Sequence, residues 1–175
     1  RSAGLAYDSK GIYDLLFLTH PASYQEIPGK KCGAGADIRE TNSLNATSIS
    51  MADYHMESLV HELNVAAAQL ARAAADEWTA KMPDKPRFVA GSLGPTNKTL
   101  SLSPRVSDPG YREVDFDGVK AVYREQIDAL VEGGVDIILI ETQIDTLNAK
   151  AAAFAVSEAS EALGYELPVM LSMTL

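Results

Sequence analysis

The 175-residue chain has a single cysteine, Cys32, a single tryptophan, and few aromatics, 7% of the sequence. One thiol forms no internal disulfide and builds no cysteine-rich metal site by itself, and this cysteine usage points to a reducing, cytoplasmic compartment. Basic residues are scarce too: 15 Lys and Arg against 24 Asp and Glu give a formal net charge of −9. A surface of that sign argues against nucleic acid or an anionic membrane as partner, because phosphates are neutralised by Lys and Arg. No apolar run approaches the roughly 18 residues needed to span a bilayer. The run Ile137 to Ile140 is only strand-sized. What remains, 46% hydrophobic and 22% charged residues, is the make-up of one ordinary globular domain. The sequence opens on Arg1 and stops at Leu175 inside a strand-like stretch, so the domain, 1–175, is expected to be truncated at both ends.

Along the chain, short apolar runs alternate with amphipathic stretches. Residues 14–18 read as a buried strand, and residues 22–33 as a helix broken by Pro28-Gly29, since both residues disfavour a helix interior. Residues 36–41 read as the next strand. The spacing of Met56, Leu59, Leu63, Ala67, Leu70, Ala74 and Trp78 predicts one helix over 51–80, capped by Ser48 or Ser50. A strand is expected over 87–93 and a long polar loop over 96–116. A helix over 117–132, halted by Gly133-Gly134, leads into the strand 135–142. That strand is apolar at successive positions, as in a parallel sheet buried on both faces. An alanine-rich helix over 146–163 stops at Gly164, and a last strand begins at Pro168. Alternating strands and helices mean parallel strands with right-handed crossovers. Two architectures satisfy that order, an open doubly wound sheet and a (β/α)8 barrel. No glycine-rich phosphate loop follows any strand, which counts against nucleotide binding.

Two segments echo each other. Asp37-Ile38 followed by Glu40-Thr41, and Asp136-Ile137 followed by Glu141-Thr142, each place Glu-Thr at the carboxyl end of a strand. That end is where barrels and open α/β sheets build their sites. A carboxylate closing an apolar run, as Glu141 does, is costly to desolvate without a partner. The partner is a cationic group of a substrate, an in-chain arginine, or the start of the next helix. Glu40 and Asn42 hold the analogous position, and Asn42 suits either a polar substrate or a turn. Asp37 and Asp136 begin strands and belong to the opposite, structural end. His20, His55 and His61 make no metal pattern, and Arg39 sits where an apolar residue is expected.

Several long strings resemble the homocysteine-binding domain of cobalamin-dependent methionine synthase. G-A-D-I-R-E-T-N-S-L-N-A-T (35–47) is similar to its third barrel strand, and M-A-D-Y-H-M-E-S-L (51–59) with A-A-A-D-E-W-T-A (73–80) to the helix after it. V-A-G-S-L-G-P-T-N-K-T (89–99) is similar to the fourth strand and its loop. L-V-E-G-G-V-D-I-I-L-I-E-T (130–142) with D-T-L-N-A-K-A-A (145–152) is similar to the fifth strand and its helix. The resemblance runs over about residues 8 to 175.

The resemblance implies a partial (β/α)8 TIM barrel, holding about five of the eight strands, the second to the sixth. It implies methyl transfer from methylcobalamin, charged from 5-methyltetrahydrofolate, to the zinc-bound thiolate of homocysteine, giving methionine. The partners would be homocysteine and the cobalamin- and folate-binding domains of a full-length enzyme. By the same resemblance Glu141 contacts the amino group of homocysteine. Thr142, Asn42 and Glu40, from the strand ends, are further substrate-binding candidates. The three zinc cysteines of the family have no counterpart here and Cys32 matches none of them, so neither a metal ligand nor a catalytic residue is expected in this chain. Met173 stands where the family has glycine. Two alternatives are a truncated, inactive copy and a homocysteine methyltransferase that uses betaine or a sulfonium donor.

Overall fold

A computed structural model describes residues 32–174. The strand expected over 14–18 and most of the helix expected over 22–33 lie outside the described residues. Four strands, β1 Ile38–Glu40, β2 Phe88–Leu93, β3 Ile137–Gln143 and β4 Val169–Met173, form one parallel sheet in the order of the sequence. Among the described strands the order does not reverse, as it would at the switch point of a doubly wound sheet. Between β1 and β2 lie a short helix α1, Ser48–Met51, and the long α2, Val60–Lys81. Helix α3, Phe116–Glu132, joins β2 to β3, and α4, Thr146–Leu163, joins β3 to β4.

Register decides which side chains share a face. Val89, Ile138 and Ile140 turn toward the helices and are fully buried. Leu93, Val119, Tyr123, Ile127, Leu130 and the alanines of α4 complete that core. Each large aliphatic side chain there contributes roughly 1.5–3 kcal/mol of burial. The opposite face is open at its base. Ile38 pairs with Phe88, and both stay exposed, at 42% and 43%.

The helix read over 51–80 is in fact divided. Thr47, not Ser48 or Ser50, caps α1, accepting from the Ser50 N–H. His55 takes a left-handed conformation with φ 55°, which no α-helix continues through, and α2 begins only at Val60. Its buried residues are Val60, Leu63, Asn64, Ala67, Ala68, Ala71 and Ala75, so the inward face is rotated from the one read from Leu70, Ala74 and Trp78. Close helix packing explains the small residues. A Cβ added at Gly133 would meet the Ala68 Cβ at 2.4 Å, so Gly133 lets α3 end against α2, whereas Gly134, at φ 95°, supplies the left-handed turn into β3.

The amino ends of the strands, where Asp37 and Asp136 lie, are tied by charge. Asp136 Oδ2 accepts from Arg72 Nη1 at 2.6 Å and from the Val89 N–H at 2.7 Å, and Asp37 lies 3.2 Å from Lys85 Nζ. Arg39 pairs in register with Val89, so it faces the helix layer, buried. Its Nε and Nη1 have no hydrogen-bond partner among the described residues.

Candidate functional site

The carboxyl ends of the strands gather the polar residues. β3 carries Glu141 on the face opposite the helices, half-buried. The next residue, Thr142, has φ 57°, a rare conformation for a β-branched residue. The pairing of β3 with β4 also shifts between Ile140 and Gln143. This irregularity re-aims the strand end. Glu141 stays on the open face, while Gln143 is buried beside Tyr123, its Nε2 3.5 Å from the tyrosine oxygen. Burial pushes the Tyr123 hydroxyl up to about 12, against the opposing effect of the hydrogen bonds its oxygen receives from Gln143 and from the Thr96 backbone. Tyr123 donates to the Gly94 carbonyl at 2.9 Å.

Glu141 Oε1 accepts a hydrogen bond from the Ser92 hydroxyl. Glu141 makes no ion pair with Lys, Arg or His among the described residues. The in-chain arginine left open by the sequence is therefore not its partner within that region. Nor does Glu141 cap α4: Asp145 does, accepting from the Leu147 and Asn148 N–H groups. Asp145 also accepts from the Ser101 N–H at 2.7 Å and the Ser101 hydroxyl at 2.8 Å. Burial raises its carboxyl, yet these four donors outweigh burial and hold it below the usual carboxylate range.

Ser92 is itself held from the first Glu-Thr segment. Its N–H donates to Thr41 Oγ1 at 2.9 Å, and its carbonyl accepts from Ser43 Oγ at 2.8 Å. Thr41 Oγ1 and Ser43 Oγ lie 2.6 Å apart. Each hydroxyl has one proton. That of Ser43 goes to the Ser92 carbonyl, so Thr41 donates to Ser43 and the three bonds close into a directed ring. The two Glu-Thr strand ends thus meet through β2.

The other candidates fall at different depths. Asn42, between Thr41 and Ser43, is half-buried and makes no side-chain hydrogen bond among the described residues. Glu40 pairs in register with Ala90 and is exposed on the open face, deeper along the strands than Ser92. Thr142 is exposed at the rim. Met173 pairs with Gln143. Sequence reasoning missed Ser92 and Ser43. The available signal was a serine closing a buried strand on the same face as a strand-end glutamate.

The loop between β2 and α3 is built rather than loose. Arg112 donates to the Leu100, Ser101, Pro109 and Tyr111 carbonyls at 2.6–3.0 Å, and Asn148 Nδ2 reaches Thr96 Oγ1 and the Lys98 carbonyl. A cavity of about 290 Å³ opens between this loop and the start of α4, lined by Thr99, Ser101, Leu102, Ile144, Asp145 and Thr146. Gly94 is required where the loop begins, because a Cβ there would come within 2.5 Å of the Leu44 carbonyl oxygen.

Among the described residues, no group of three His, Cys, Asp or Glu is placed to hold a metal ion. Cys32 is buried just before β1, at the end of the sheet away from Glu141. The described residues therefore do not supply the thiolate set of the zinc site that the sequence resemblance implies. None of the described helices is long and apolar enough to cross a membrane.

The model of the homocysteine S-methyltransferase family matches residues 8–175. Among solved structures, the chain is similar to the homocysteine methyltransferase MmuM from Escherichia coli. The metallated form is 25% identical over 100% of this chain, with a TM-score of 0.74. The oxidized form is 24% identical over 100% of this chain, with a TM-score of 0.73. The chain covers 58% and 57% of that protein's chain in the two forms, a little over half of its length.

Proposed function

Because the chain belongs to the homocysteine S-methyltransferase family, we propose that it is the homocysteine-binding part of an enzyme that methylates homocysteine to methionine. In this reading residues 1–175 are one domain, the second to sixth strands of a (β/α)8 barrel working in the cytoplasm. Glu141 receives the ammonium group of homocysteine, and Thr142, Asn42 and Glu40 line the rest of the polar rim.

One observation carries the reading. A half-buried carboxylate stands at the carboxyl end of β3 with one oxygen held by Ser92 and no cation against it among the described residues. An unpaired carboxylate removed from water is costly, and an ammonium ion offsets that cost where a neutral ligand does not. The chemistry to be served is simple: the homocysteine thiolate attacks a methyl carbon, the S–C bond forms, and the bond from methyl to donor breaks with its electron pair leaving on the donor. What these residues contribute is placement of the amino-acid end, so that the sulfur is held in line. The described residues do not supply the zinc ligands, and this chain alone is expected to transfer no methyl group.

The long strings shared with cobalamin-dependent methionine synthase favour methylcobalamin as donor, presented by a separate domain. Betaine and sulfonium donors are the second reading, as is a copy inactive by truncation. The binding claim is tested by titrating the chain with L-homocysteine and with 4-sulfanylbutanoate, which has the thiol and carboxylate but no amino group. Binding of homocysteine at least about tenfold tighter is expected, the worth of one charge-assisted contact. Equal binding of the two contradicts the assignment.

A further inference from the structure

We infer that Ser92 is the residue that aims Glu141 at its ligand, and that the ring joining Ser92 to Thr41 and Ser43 exists to hold Ser92 still. The inference rests on Glu141 as the ammonium-binding group. Ser92 is 1% exposed. A buried hydroxyl needs an acceptor, and Glu141 Oε1 is the one it has. With that oxygen held, the other oxygen of Glu141 is left without a hydrogen-bond partner among the described residues, and the carboxylate loses the rotation that a half-buried glutamate otherwise keeps.

The ring separates two duties within one residue. Thr41 and Ser43 bind the backbone N–H and carbonyl of Ser92, not its side chain. The hydroxyl therefore remains wholly available to Glu141. Neither contact is part of the ladder between β1 and β2, whose register ends at Glu40 paired with Ala90. Side chains of the turn after β1 thus carry the attachment two residues further along β2, to the level at which the Ser92 hydroxyl reaches Glu141. Ser92 touches Glu141 rather than the reacting atoms, so it is a positioning residue.

This division makes the test clean. Ser92→Ala removes one oxygen and leaves every bond of the ring intact, so the fold should survive. Affinities for L-homocysteine and 4-sulfanylbutanoate are measured on the wild-type chain and on Ser92→Ala, with circular dichroism as a check on folding. The expected result is a loss of about fivefold to tenfold in affinity for homocysteine and none for the analogue without the amino group. A merely structural serine would move both ligands together. If wild type prefers homocysteine and Ser92→Ala keeps that preference, the inference is overturned while the assignment of Glu141 stands. If wild type shows no preference, the assignment of Glu141 fails and takes the inference with it. Should Ser92→Ala not fold, Ser92→Cys carries the same comparison. Its thiol is a weaker donor, so a loss of about threefold supports the inference and an unchanged preference overturns it.

Discussion

Ser43 Oγ donates to the Ser92 carbonyl at 2.8 Å, joining positions 49 residues apart in sequence. Ser43 is fully buried. In Ser43→Ala the Ser92 carbonyl loses its donor and Thr41 loses its acceptor. Unsatisfied buried groups cost about 1–3 kcal/mol. Thermal or urea unfolding should show a destabilisation of that size, and a variant as stable as wild type would mean that the ring contributes nothing.

Asp145 governs acid stability on the same edge. Its carboxyl is held below the usual range by four donors. A depressed folded value adds stability that is present above the unfolded value, about 3.9, and is lost as pH falls through the folded one. Asp145→Ala should cost about 1–2 kcal/mol near neutral pH, from the lost cap and the Ser101 contacts. It should also flatten the decline in stability between about pH 4 and the folded value. Unfolding curves at several pH values check both, and an unchanged acid limb would contradict the assigned role.

Tyr123 works at the other extreme. Burial holds its hydroxyl protonated up to about 12. A raised folded value adds stability that is complete below the unfolded value, about 10, and is lost as pH climbs from there to about 12. Ultraviolet titration should show a late-ionising tyrosine, and Tyr123→Phe should remove that late step. A full titration by pH 10.5 would contradict the burial.

The strand that carries Glu141 was legible because its signals agree. Ile137-Ile138-Leu139-Ile140 admits one reading, and Gly164, read as the stop of α4, takes φ 76° there, whereas the cap at Asp145 was not read. The start of α2 was not legible. Alanines on every side of 66–75 leave the inward face undetermined, and the left-handed His55 has no sequence signature. The glycine pair 133–134 was read as a stop, but only Gly134 turns the chain, and Gly133 serves packing against Ala68. At the site, the two Glu-Thr echoes pointed to one sheet edge, where the structure puts both. Their connection through Ser92 was hidden, because it depends on register between β1 and β2, which periodicity within one segment does not encode.

Thr142 records strain beside Glu141. A left-handed β-branched residue costs about 1–2 kcal/mol relative to a residue that tolerates that conformation. Thr142→Asn should therefore raise stability by up to about 1 kcal/mol in an unfolding experiment. A loss of stability would show that the threonine side chain makes a compensating contact.

The most direct measurement is the affinity of Glu141→Gln for L-homocysteine. The substitution keeps the shape and the acceptor facing Ser92 but removes the charge. A loss of about tenfold or more is expected, with affinity for 4-sulfanylbutanoate unchanged. Undiminished binding of homocysteine would contradict the claim that this carboxylate receives its ammonium group.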